Sequence, residues 1–187
     1  MMYNADRAEG PFTIEEFEAL PEEDAYRVEL VRGMLVREPR PAAMHAWVQS
    51  RVAVRLGGFV EEQRLGYLFT DVGVIVSRHS STVRGPDLAF VAAARLPAGP
   101  RSGFLDLAPD LCIEIVSPSN RPAAIEEKVL EYLSAGTSLV WVIDPAKRTV
   151  VERRPGSAAN VRATAEELSG ADVVPGFVLN LAELFGI

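Results

Sequence analysis

An α/β or mixed α+β fold is what the sequence predicts for these 187 residues, and three observations predict it. Residues 111–116 and 139–143 are short, almost wholly apolar runs, the signature of strands buried on both faces. Residues 42–63 switch to a helical period, and a second helical stretch opens at Pro122. Helix, strands, helix and strand then alternate with no change of composition that would mark a second unit, so residues 1–187 are expected to form one domain.

Taken in order, Thr13-Ile14-Glu15-Glu16 is a capping box opening a short helix to about Leu20. Residues 26–38 alternate as two strands about Arg32-Gly33, a hairpin signal, and Pro39 and Pro41 close it. In residues 42–63, Met44, Val48, Val52, Leu56 and Phe59 share a face about 120° wide at helical spacing. His45 points into that stripe, with Gln49 one turn on. Residues 67–77 read as one alternating strand, 78–85 as a polar stretch, 86–91 as a short strand and 96–103 as a Pro/Gly-rich loop. The second helix has Pro122 in its first turn and Gly136 just past its end. Residues 149–153 form an outer strand, and 173–185 a strand followed by a short helix.

With 48% apolar and 24% charged residues the chain has the composition of an ordinary globular protein. Its single cysteine, Cys112, excludes an internal disulfide and a CxxC zinc site. The stretch MMYNADRAEG has no apolar leader core, and no run approaches the ~18 apolar residues of a membrane span, so a cytoplasmic setting is expected. A formal charge of −7 does not advertise a nucleic-acid binder, although a local groove can be basic on an acidic protein. Of 19 basic residues only Lys128 and Lys147 are lysines, which draws attention to where they stand.

Glu114 is the strongest chemical clue. It lies between Ile113 and Ile115 in a strand that reads as buried, where an unpaired carboxylate is costly and must meet a cation, a donor or a metal. Pairing with a buried Arg or Lys is the structural alternative. Asp87 opens a neighbouring strand after Gly85-Pro86, and two strands offering one acid each suit a hard divalent cation. Asp110 forms a second Pro-Asp pair, but four extended residues put it ~13 Å from Glu114. It reads as a strand-entry turn residue. Lys128 sits on the edge of the stripe made by Ile125, Val129 and Tyr132, free to snorkel, to pair with Glu131, or to reach a buried acid. His45 is either a hydrogen-bonded core histidine or a site residue, and Glu29 either a third acid or an exposed strand position. Arg51, Arg55 and Arg84 are candidate phosphate contacts, with solvated surface arginine as the plainer reading of each. Gly57-Gly58 lies inside a helix and Ser117 and Ser119 lack an elbow context, so a phosphate loop or an acyl-hydrolase serine has no support.

Together these segments resemble a known family. Tyr26…Glu29-Leu30-Val31-x-Gly33, His45, Pro86-Asp87-Leu88-Ala89-Phe90-Val91 and residues 109–119 follow its pattern in order. So do Lys128-x-x-x-Tyr132-x-x-Ala135-Gly136, Trp141-Val142-Ile143-Asp144-Pro145 and Pro175-Gly176-Phe177-x-Leu179-x-Leu181. The chain is similar to the Uma-type family of restriction-endonuclease-like proteins, within the PD-(D/E)XK nuclease superfamily. The resemblance implies a restriction-endonuclease-like core, a mixed central sheet flanked by helices, here with an N-terminal helix plus hairpin. It implies Mg²⁺ or Mn²⁺ at Asp87, Glu114 and the backbone carbonyl of Ile115, with Lys128 and His45 completing a catalytic set. The lysine usually found two residues after the second acid is replaced by Val116, and Lys128 on the next helix is its counterpart. The implied activity is metal-assisted hydrolysis of DNA phosphodiesters, with Lys128 orienting or deprotonating the water and a homodimer natural for double-strand cleavage. A catalytically quiet binding or interaction protein that keeps the fold is the alternative.

Overall fold

The structure is a computed structural model, described over residues 10–21, 23 and 26–186. The leader expectation on residues 1–9 therefore lies outside the described residues. Among those described, no helix is long and apolar enough to cross a membrane.

The capping box forms as the sequence predicts. Thr13 Oγ1 accepts from the Glu16 amide at 3.1 Å, Glu16 Oε2 accepts from the Thr13 amide at 2.9 Å, and helix α1 runs Ile14–Glu18. The hairpin follows as β1 (Tyr26–Val31) and β2 (Met34–Pro39). Arg32 and Gly33 both take positive φ, 53° and 77°, as a two-residue turn matched to strand twist requires. Helix α2 spans Ala43–Glu62.

The expected strand over 67–77 is instead two strands in different sheets: β3 (Gly66–Thr70) and β4 (Val74–Ser77). The break is physical. Asp71 has φ 52°, and a Cβ on Gly73 would lie 2.3 Å from the Phe104 ring, so the chain turns where only glycine admits that ring. The polar stretch at 78–85 also holds a strand, β5 (Thr82–Arg84), all of it buried. Its polarity misled because Arg84 is buried in ion pairs.

Strands β6 (Leu88–Ala92), β7 (Leu111–Ile115), β8 (Leu139–Asp144) and β9 (Thr149–Arg153) form where expected. β10 (Asn160–Ala163) and the pair β11 (Glu167–Ser169) and β12 (Val178–Asn180) follow, and α4 (Leu181–Phe185) is the last helix among the described residues. Helix α3 covers Pro122–Ala135 and stops at Gly136 in the left-handed conformation.

Two sheets frame the molecule. The larger runs β10-β9-β8-β7-β6-β3, with β7 and β8 parallel and the other pairs antiparallel. The smaller runs β2-β1-β5-β4, antiparallel throughout. Strand alternation divides the faces of the larger sheet. Leu111, Ile113 and Ile115 join Val48, Val52, Leu56 and Val60 of α2 in the main core. Cys112 faces the other way, onto Ile125, Val129 and Tyr132 of α3. Each fully buried aliphatic side chain of α2 stabilises the packing by roughly 1.5–3 kcal/mol relative to exposure. Helix α3 also touches β4, and so stands between the two sheets. The mixed sheet flanked by helices is the architecture that the family resemblance implied, within the α/β or α+β class read from the residues.

Candidate active site

The antiparallel register of β6 and β7 pairs Leu88 with Ile113 and Ala89 with Cys112. One step further along, Asp87 stands opposite Glu114. The same extension across β3 brings Asp71 beside Asp87, and the Asp71 amide donates to the Asp87 carbonyl at 3.2 Å. A row of acids thus crosses one end of the larger sheet. Asp87 and Glu114 of this row line a cleft of about 300 Å³ together with His45, Ile115 and Lys128, with Arg27, Arg84 and the 117–121 segment nearby, while Asp71 lines the adjoining cavity.

Asp87 is only 2% exposed and fully engaged. Its Oδ1 accepts from Arg27 Nη1 at 2.5 Å, and its Oδ2 accepts from the Ile115 amide at 2.6 Å and lies 3.1 Å from His45 Nε2. Burial works against this carboxylate, but His45, Arg27 and the Ile115 amide outweigh it and hold its pKa below the usual range. Glu114 behaves oppositely. Its Oε1 accepts from the Tyr132 hydroxyl at 2.7 Å, yet the nearest cation, Lys128 Nζ, is 3.8 Å from Oε2. Burial, with Asp87 adding repulsion, pushes its pKa up to about 8 despite the attraction of Lys128.

Lys128 is buried and neither snorkels nor pairs with Glu131. Its ammonium lies 2.9 Å from Glu29 Oε1, 3.3 Å from Glu38 Oε1 and 3.8 Å from Glu114. Burial disfavours its charge, but Glu114, Glu29 and Glu38 together raise its pKa well above that of free lysine. Glu29 is no exposed strand position. Buried at 4% exposure, it accepts from Arg84 Nη1 at 2.9 Å and from the Gly85 amide at 2.9 Å, besides meeting Lys128. Its pKa stays low because Lys128 and Arg84 more than offset its burial.

The arginines divide. Arg84 is not a solvated surface group: it is buried against Glu29 and Glu131, the latter at 2.5 Å. Arg51 lies over the Trp47 ring at 4.6 Å and donates to the Glu183 carbonyl, tying α2 to α4, and neither it nor Arg55 lines the cleft. Asp110 is the turn residue its spacing suggested, accepting from the Ala92 amide at 2.8 Å and from Arg95 at 2.8 Å.

Three participants escaped sequence reasoning, although each left a trace. Arg27 lies two residues before Glu29 on the same face of β1. Tyr132 lies one helical turn after Lys128, and a buried tyrosine hydroxyl needs a partner. Gln49 lies one turn after His45, and its Nε2 donates to the Asp87 carbonyl at 3.0 Å and to Asp71 Oδ2 at 3.1 Å.

Among the described residues no three His, Cys, Asp or Glu side chains form a closed metal cluster. Two carboxylates, Asp87 just before β6 and Glu114 on β7, beside the Ile115 backbone form a sparser donor set, suited to a hard, largely hydrated ion rather than to zinc. Burial holds the Glu114 carboxyl up at about 8, and His45 Nδ1 is buried with no partner among the described residues, so both retain capacity for a further polar partner.

A family model, Uma2, described as "Putative restriction endonuclease", matches residues 14–182. The chain belongs to that family. The Uma2 chain is also similar to a solved structure titled a "putative nuclease belonging to DUF820" from Anabaena variabilis. The two share 26% sequence identity with a TM-score of 0.83, over 94% of this chain and 98% of the other. No protein of curated function matches. Family and fold together support a nuclease.

Proposed function

We propose that residues 1–187 act as a single restriction-endonuclease-like domain, a cytoplasmic Mg²⁺- or Mn²⁺-dependent endonuclease that hydrolyses DNA phosphodiesters, as a homodimer when both strands are cut. The observation that carries the reading is the convergence of Asp87, immediately before β6, and Glu114 on the facing strand β7 in one cleft, with the Lys128 ammonium 3.8 Å from Glu114. Asp87, Glu114 and the Ile115 carbonyl would hold the ion. A bound divalent ion lowers the pKa of its water and polarises the phosphoryl oxygen.

The protein's own groups divide the remaining work. His45 and the Ile115 amide fix the Asp87 carboxylate in place. Tyr132 does the same for Glu114. Lys128, held protonated by three acids, suits a fixed cation that offsets charge developing on the phosphoryl oxygens, and it suits a general base poorly. Glu29 in turn positions Lys128.

The test is cleavage of plasmid and linear DNA with Mg²⁺ or Mn²⁺, beside Asp87→Ala and Glu114→Ala. Losing either acid should lower the rate by at least ~100-fold, in line with removing a group that stabilises transition-state charge. Undiminished cleavage by both variants sinks the assignment. A quiet member of the family is favoured by Val116 in the usual lysine slot. Calorimetry would support that reading if Mn²⁺ at millimolar concentration bound neither the free protein nor its DNA mixture.

A further inference from the structure

We propose that Arg27 is an exchangeable counter-ion that occupies Asp87 in the metal-free protein, yields it to the divalent ion, and then serves as a contact for substrate phosphate. The inference rests on the divalent-ion reading above. Arg27 Nη1 donates to Asp87 Oδ1 at 2.5 Å, and Nη2 reaches Asp71 Oδ1, so one guanidinium fork spans two neighbouring acids of the row. The other oxygen of Asp87 is already taken by the Ile115 amide and His45. Oδ1 is therefore the oxygen of Asp87 left to offer an ion, and a guanidinium holds it. Two cations on one carboxylate oxygen repel strongly in a buried site. Metal loading thus requires Arg27 to withdraw.

The two buried cations beside the acids lack that freedom. The side chains of Arg84 and Lys128 are 5% and 4% exposed and locked to Glu29, whereas that of Arg27 is 29% exposed. Arg27 also lines both the 300 Å³ cleft and the adjoining cavity of about 640 Å³, so it has space on either side of its present position. A planar fork that binds two carboxylate oxygens binds two phosphate oxygens with the same geometry. Giving up Asp87 to an ion thus leaves a forked donor at the cleft floor, beside the place where a phosphate would meet the metal.

The test compares the full-length wild type with Arg27→Gln, Arg27→Lys and Glu114→Gln. Mn²⁺ affinity is read by calorimetry without DNA, and oligonucleotide affinity by fluorescence anisotropy in Ca²⁺. Arg27→Gln should bind Mn²⁺ about tenfold tighter, because a competing charge is gone, and bind DNA about tenfold more weakly, because a charged phosphate contact is lost. Arg27→Lys keeps a cation without the fork and should fall between. It carries the test if the glutamine variant does not fold. A wild type that binds Mn²⁺ in a Glu114-dependent way, with Arg27 variants binding no tighter, overturns this inference and leaves the metal reading standing. Absence of Mn²⁺ binding in every protein overturns both. Tighter Mn²⁺ with unchanged DNA affinity overturns the phosphate contact.

Discussion

Glu29 shows how much of the site depends on one buried carboxylate. Lys128 and Arg84 approach it from α3 and β5, and the Gly85 amide donates to it. Removing its charge leaves two buried cations leaning on fewer acids. We expect Glu29→Gln to lose roughly 3–5 kcal/mol at pH 7, the usual consequence of breaking a buried pair from one side. The pH dependence follows from the direction of its shift. A carboxyl whose folded pKa lies below its unfolded value contributes stability above the unfolded value and loses it as pH falls through the folded one. Urea denaturation from pH 7 to pH 3 should therefore show the gap between wild type and variant closing below about pH 4.5, near the unfolded carboxylate range. A gap that stays constant across that window would mean that Glu29 acts through shape rather than charge.

Within single elements, glycine positions separate packing from propensity. Gly66 opens β3 so close to β6 that an added Cβ would stand 2.1 Å from the Val91 carbonyl oxygen and 2.9 Å from the Ala92 Cα. Gly66→Ala must push the edge strand away, and thermal denaturation should show a loss of ~2–4 kcal/mol, the range of overpacking and broken pairing. Gly58, exposed on α2 with nothing within 4 Å, should behave in reverse: Gly58→Ala gains ~0.5–1 kcal/mol. The contrast also explains what could be read in advance. Helices α1, α2 and α3 were legible because caps and periodicity are local, as were β7 and β8 from their apolar runs. The division of 67–77 was not, since it depends on Phe104, thirty-one residues beyond Gly73. The candidates Asp87, Glu114 and Lys128 stood out because charge in an apolar context is visible in the sequence, and the structure buries all three. Arg27 could not be paired with Asp87, because sixty residues and two sheets separate them.

At the scale of the molecule, the formal charge of −7 conceals the local balance. The walls of the cleft carry Arg27, Arg37, Arg84, Arg121 and Lys128 against Glu38, Asp87, Glu114 and Glu127, so the groove is mixed in charge rather than acidic. The site is also a joint. Arg27 and Glu29 come from the smaller sheet, Asp87 and Glu114 adjoin strands of the larger, and Lys128 comes from the helix between them. An ion bound there stabilises the fold that assembles its ligands and not the unfolded chain, in which those ligands are dispersed. At free Mn²⁺ one hundred times its Kd the gain is about 2.7 kcal/mol, or roughly 5–10 °C in Tm for a chain of this length. Glu114→Gln should remove most of that shift while keeping the Tyr132 hydrogen bond, because an amide oxygen still accepts it. An equal rise in Tm for both proteins would place the ion somewhere other than between the two strands.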